Sequence, residues 1–186
     1  MIALNHITAR LNANKVIKVL DSLQTHPRWS EPIIQSNILV RFATNPPEAS
    51  RISDFIKKIS IPLEIPFYII WTWMCSDFTI HNLDPFVATE NYLRTLLSED
   101  NYEKIKNHKG PINFRKALRA QRTTLRLSLN EMADKVGVDR DKIAVLERKG
   151  NYTSMPRWDT LNAILPAYEL HPIELLLLAI NVAEKD

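Results

Sequence analysis

The sequence predicts an all-α fold, and three observations carry that prediction. Apolar residues recur at three- and four-residue spacing along most of the chain, the pattern of a helix with one buried face. Residues that open helices stand where such segments begin, Asp84 ahead of Pro85 and Ser128 three places ahead of Glu131. Gly137 closes one of them with a residue free to take positive φ, as a sharp helix exit demands.

Taken in order, the first helix is expected from Asn12 or Asn14 to Gln24, with Val16, Ile17, Val19, Leu20 and Leu23 apolar. Further helices are expected over Pro32 to Phe42, Glu48 to Ile59, Pro66 to Cys75 and Pro85 to Leu97, the last with Asp84 as cap and Pro85 in the first helical position. The run Ile59 to Cys75 is very apolar, but Glu64 and two prolines break it. It falls short of the roughly twenty residues that a membrane span needs. A buried helix or a subunit interface is the reading, with β-structure as the alternative.

Ser98 to Pro111 is polar and contains one of only three glycines beside a proline, which suits a domain boundary after a short helix. The expected division is a helical domain over 1–106, a linker over 107–113 and a second domain over 114–186.

That second domain holds the most specific signal, LSLNEMADKVGVDRDKIAVLERKG from Leu127 to Gly150. Ser128 and Glu131 make a capping box, and Leu129, Met132, Ala133 and Val136 recur at helical spacing, Ala133 being small where a second helix approaches. Gly137 turns the chain, Val138 anchors the turn inside, and Asp139 is placed to cap the next helix. That helix is expected to turn Ile143, Leu146 and Glu147 inward, leaving Arg140, Asp141, Ala144, Val145 and Arg148 on or near the outer face. The outline is a helix-turn-helix, whose second helix can enter a major groove.

Residues from about Phe114 to Ala179 resemble the Cro and phage-repressor type of helix-turn-helix domain, the XRE-like family. Five successive segments carry the resemblance: FRKALRAQRTTL, SLNEMADKV, DRDKIAVLERK, PRWDTLNAILPAY and HPIELLLLAI. It implies a buried structural brace between Arg122 and Glu147. It also places Arg140, Asp141 and Val145 where side chains face base edges, with Arg126, Ser128, Asn130, Lys142, Arg148 and Lys149 as phosphate or flanking contacts. An Arg such as Arg140 can donate two parallel hydrogen bonds to guanine, Val145 can touch a thymine methyl, and Asp141 can accept from cytosine or orient Arg140. The chain departs from the family at Leu129, where a Gln commonly meets a phosphate. It departs again at Pro166, which predicts a kink or early helix end near Leu165.

Charge agrees with this placement. The chain is +3 overall, with eleven Lys or Arg against five Asp or Glu over Lys109 to Lys149 and eleven of each over residues 1–108. The basic excess lies on the expected DNA module, as phosphate neutralisation requires.

A shift of 109 residues lays Pro47 to Trp71 over Pro156 to Ile180 with most apolar positions kept. The first domain is on this reading a degenerate copy of the second. One recognition helix reads few base pairs, so residues 1–100 are expected to help form a homodimer, with Phe67, Tyr68, Trp71 and Trp73 offered either as its surface or as core.

Enzymatic chemistry finds no pattern. Cys75 is alone in an apolar run, which excludes a disulfide framework and a cysteine-based zinc site, and the five histidines show no ligand spacing. Three glycines cannot make a phosphate loop. No metal, cofactor or membrane partner is therefore expected, and MIALNHITARLNANK lacks the apolar core of a signal peptide, so a cytoplasmic location is expected. Two classes remain. One is a sequence-specific transcriptional regulator, repressor or activator, of bacterial or mobile-element origin, acting on double-stranded DNA with RNA polymerase as a further partner. The other is an antitoxin or protein-interaction module that binds a partner protein through its N-terminal helices.

Overall fold

The computed structural model describes residues 9–44, 52–80, 84–148 and 156–183. Among these are twelve α-helices and one 3₁₀ turn, and β-structure is limited to isolated bridge positions, Leu11 with Cys75 and one at Arg157. The fold is all-α, and the apolar run Ile59 to Cys75 is helical at both ends rather than β-structure. No helix among the described residues is long and apolar enough to cross a membrane.

Helix α1 (Ala13–Ser22) starts where Asn12 accepts from the amide of Asn14, and it runs into a 3₁₀ turn over Leu23–Thr25. The single helix expected over Pro32 to Phe42 is instead two, α2 (Ser30–Ser36) and α3 (Ile38–Thr44). Asn37 breaks it by taking φ 55, a left-handed conformation that Asn tolerates better than most residues. Helix α4 (Ile52–Leu63) passes the expected end at Ile59 and carries Pro62 in its last turn before Glu64 ends it at φ 52. The expected start of that helix, Glu48 to Arg51, lies outside the described residues. Helices α5 (Phe67–Met74) and α6 (Pro85–Leu96) follow, with the Asp84 carboxylate accepting from Phe86 and Val87 at 2.8 and 3.3 Å. A short α7 (Glu99–Asn107) closes the N-terminal half.

The second half comprises α8 (Phe114–Thr124), α9 (Leu129–Val136), α10 (Arg140–Leu146), α11 (Trp158–Ile164) and α12 (Pro172–Ala183). As Pro166 implied, α11 stops early, and a turn over residues 165–169 carries the chain on, with Glu169 at φ 54. Helix α10 is shorter than the expected 139–149 because Glu147 leaves helical geometry and buries its side chain. The proposed internal copy does not correspond in structure. With the 109-residue shift, the last two turns of α4 fall on the turn between α11 and α12, so helix is laid over loop.

One buried apolar cluster runs through both halves. Trp71 and Trp73 are each 0 % exposed, which removes them from any docking surface. The Trp71 indole stacks on Phe114 of α8 with centroids 5.0 Å apart and donates its Nε1 hydrogen to the Pro172 carbonyl at 3.0 Å. Trp73 donates to Thr89 Oγ1 at 2.8 Å, so both indoles satisfy their polar edge inside the core. Phe67 and Tyr68 are half-buried and pack on the same cluster. Polar contacts also join the halves. Asn162 of α11 accepts from Leu11 N at 2.8 Å and donates to Leu11 O at 2.9 Å. Of the expected linker over 107–113, Asn107 ends α7 and residues 108–113 are the loop before α8, and the core is continuous across it.

Candidate nucleic-acid interface

The turn between α9 and α10 is built from local chemistry. Ser128 Oγ accepts from the amide of Glu131 at 3.2 Å while Glu131 Oε2 accepts from the amide of Ser128 at 2.7 Å, completing the capping box. These bonds hold the Glu131 carboxyl below its ordinary range. At the other end Ala133 O accepts from Gly137 N at 2.8 Å and Val138 N at 3.0 Å, with Gly137 at φ 76. A Cβ placed on Gly137 would meet nothing within 4 Å, so the demand there is for backbone conformation and not for space. Val138 is half-buried and anchors the turn against the core.

Asp139 occupies the N-cap position of α10, but its side chain makes no cap bond. It faces Lys142 instead, with Asp139 Oδ2 3.7 Å from Lys142 Nζ. Ile143 and Glu147 turn inward, and Leu146 is half-buried. Arg140, Asp141, Lys142, Val145 and Arg148 are exposed together on the outer face, with Val145 57 % exposed despite its apolar side chain. Arg140 Nη1 donates to Asp141 Oδ1 at 3.2 Å. Such an exposed pair contributes little stability, and it sets the guanidinium orientation while leaving it accessible.

Glu147 is the anchor of α10. Its carboxylate accepts from Arg122 Nε at 2.9 and 3.0 Å, lies 2.8 Å from Arg122 Nη2, and accepts from Tyr168 Oη at 2.6 Å. Arg122 Nη1 also donates to Leu127 O at 2.7 Å, so one guanidinium fixes α8, the loop before α9, and the end of α10. The hydrogen bond to Glu147 raises the Arg122 pKa, while burial followed by the Glu147 contact raises that of Tyr168 and keeps its hydroxyl a donor. Arg115 adds a second tie from α8, donating to the Val145 carbonyl.

The phosphate candidates divide. Arg126 is exposed in the turn after α8 with φ 58, Asn130 is exposed on α9, and Arg148 is exposed just past α10. Ser128 is exposed, but its amide and a hydroxyl lone pair are taken by the capping box, which leaves the hydroxyl hydrogen to offer an anion. Lys149 lies outside the described residues. Leu129 is half-buried and packs on the core. Tyr168 and Arg115 are not recognisable from the sequence as supports of α10, since neither contact follows from spacing. The one available clue was that a buried tyrosine hydroxyl needs a partner.

Among the described residues no three His, Cys, Asp or Glu side chains gather where a metal ion could bind. Cys75 is a buried free thiol whose pKa burial pushes well up. Comparison with protein-family models, with curated proteins and with solved structures finds no match to this chain.

Proposed function

We propose that this chain is a sequence-specific DNA-binding transcriptional regulator that inserts α10, with its flanking residues over 139–149, into the major groove of an operator. The observation that carries the reading is the pairing of a rigidly braced short helix with an outer face on which Arg140, Asp141, Val145 and Arg148 stand exposed. A helix held at its far end by Arg122, Arg115 and Tyr168 presents those side chains in a fixed register, which base reading requires. Arg140 reads guanine, Asp141 orients it, and Val145 contacts a thymine methyl. Arg126, Asn130, Lys142 and Arg148 meet phosphates, with the exposed Arg119 of α8 adding to the field. The protein acts in the cytoplasm as a homodimer on two half-sites, and no enzymatic step is assigned to it.

A second reading has its own support. Arg140 pairs with Asp141, Lys142 lies near Asp139, and Leu129 packs inward, so the turn and start of α10 carry balanced charge. A surface of that kind suits an antitoxin or protein-interaction module, in which the N-terminal helices bind the partner protein.

Selection from a random duplex library with the full-length protein near physiological salt separates the two. An enriched palindrome with half-sites about ten base pairs apart supports the dimeric regulator. Salt-sensitive binding without enrichment moves the chain to the protein-interaction class.

A further inference from the structure

We infer that the groove between α1 and the segment Ser76 to Ile80 is a binding site for a small amphipathic organic anion, a carboxylate carrying an acyl or aromatic body. The cavity measures about 620 Å³, within the range of small-molecule sites. The half-buried Ile80 supplies the open apolar wall above a floor closed by the buried Val19 and Phe78, and Lys18, Ser22 and Ser76 supply polar lining. Lys15, Lys18, Val19 and Ser22 fall at helical three- and four-residue spacing, so one face of α1 contributes both the cations and the apolar surface.

The two lysines have different tasks. Lys15 is half-buried and donates to the carbonyls of Cys75, Ser76 and Phe78, which uses its three hydrogens to hold the far wall in shape. Lys18 is exposed and has no carboxylate partner among the described residues, so its ammonium is left for a ligand anion. Asp77, the nearest acid in that wall, is engaged elsewhere, with Oδ2 3.0 Å from His171 Nε2. A carboxylate at Lys18 with its apolar body along Ile80 and the lysine methylenes satisfies both kinds of lining.

The site is connected to α12. Ser76 and Phe78 flank Asp77, and His171 Nδ1 accepts from the Ile173 amide at 3.1 Å, so Nε2 carries the hydrogen donated to Asp77. A ligand that shifts the Ser76 to Ile80 segment moves Asp77 against the imidazole at the start of α12. This inference stands apart from the DNA-binding reading, since its readout needs no DNA.

The test is titration of the full chain with octanoate and, as an uncharged match, octanamide, by calorimetry and by amide and imidazole resonances. Octanoate is expected to bind saturably, shifting Val19, Ser22, Thr79 and the His171 ring. Octanamide should bind about tenfold more weakly, and Lys18→Gln should lower octanoate affinity by a similar factor while leaving octanamide unchanged. Ser22→Trp, which adds bulk at the exposed end of α1, should weaken both. Absence of saturation, equal affinity for the two probes, or shifts confined to another part of the molecule would overturn the assignment.

Discussion

Arg122 and Glu147 meet through three nitrogen–oxygen contacts of 2.8 to 3.0 Å, with side chains only 14 % and 3 % exposed. Breaking a pair this buried leaves an uncompensated charge, at about 3 to 5 kcal/mol. Glu147→Ala and Arg122→Ala are each expected to lower the melting temperature by on the order of 10 °C. Glu147→Gln, which keeps an acceptor for Tyr168, should lose less. Calorimetric melts check this, and a native melt for Glu147→Ala would remove the brace from the account of α10.

Gly137 offers a cleaner backbone test. Its φ of 76 disfavours any Cβ, yet nothing stands within 4 Å of where one would sit. Gly137→Ala should therefore cost about 1 kcal/mol, a fall of about 2 to 4 °C, and Gly137→Asn less. A loss several times larger would mean that the turn is crowded and not merely left-handed.

The Asp77 carboxyl feels two opposed effects. Burial raises its pKa, but hydrogen bonds and charge from its neighbours, His171 first, win and hold it below its ordinary 3.8. A depressed carboxyl stabilises the fold above its unfolded pKa and loses that contribution as pH falls through the folded value. The stability gap between the native protein and Asp77→Asn should thus be full above the ordinary carboxylate range and close as pH falls through the lower folded value. Denaturant melts across that window measure it, and a gap that widens with acid would reverse the assignment.

Base reading and phosphate attraction separate by sequence dependence. Arg140→Ala should cost about 1 to 3 kcal/mol at the preferred site and relax the choice of base there. Arg119→Ala on α8 should weaken every duplex alike and flatten the salt dependence. Competition binding with matched and mutated duplexes decides between them. Equal losses on all sequences would take Arg140 out of the readout.

Much of the helical architecture was legible because its signals are local. The capping box at Ser128, the exit at Gly137, the Asp84–Pro85 start and the stop at Pro166 each lie within one turn of the residues they govern. The Arg122 to Glu147 contact came through family resemblance, since spacing alone does not pair residues in different helices. What was missed is non-local or conditional. Apolar periodicity runs straight through Asn37, which nonetheless breaks a helix by its conformation, and α4 takes in Pro62 and stops one residue after it, at Leu63. Asp139 has the right residue type at an N-cap and spends it near Lys142. Burial of Trp71 against Phe114 and Pro172 joins segments far apart in the chain, and no window of sequence contains both sides.

The contacts that join the two halves also govern the order of folding. Leu11 meets Asn162 across 151 residues of chain, and Trp71 meets Pro172 across 101. Loops of that length close late, because their entropy must be lost before any contact rewards it. During synthesis the N-terminal helices therefore emerge with the apolar face around Phe67 and Trp71 uncovered, and it stays so until α8 and α12 arrive. That interval is the chain's exposure to aggregation, and slower translation between α7 and α12 lengthens it.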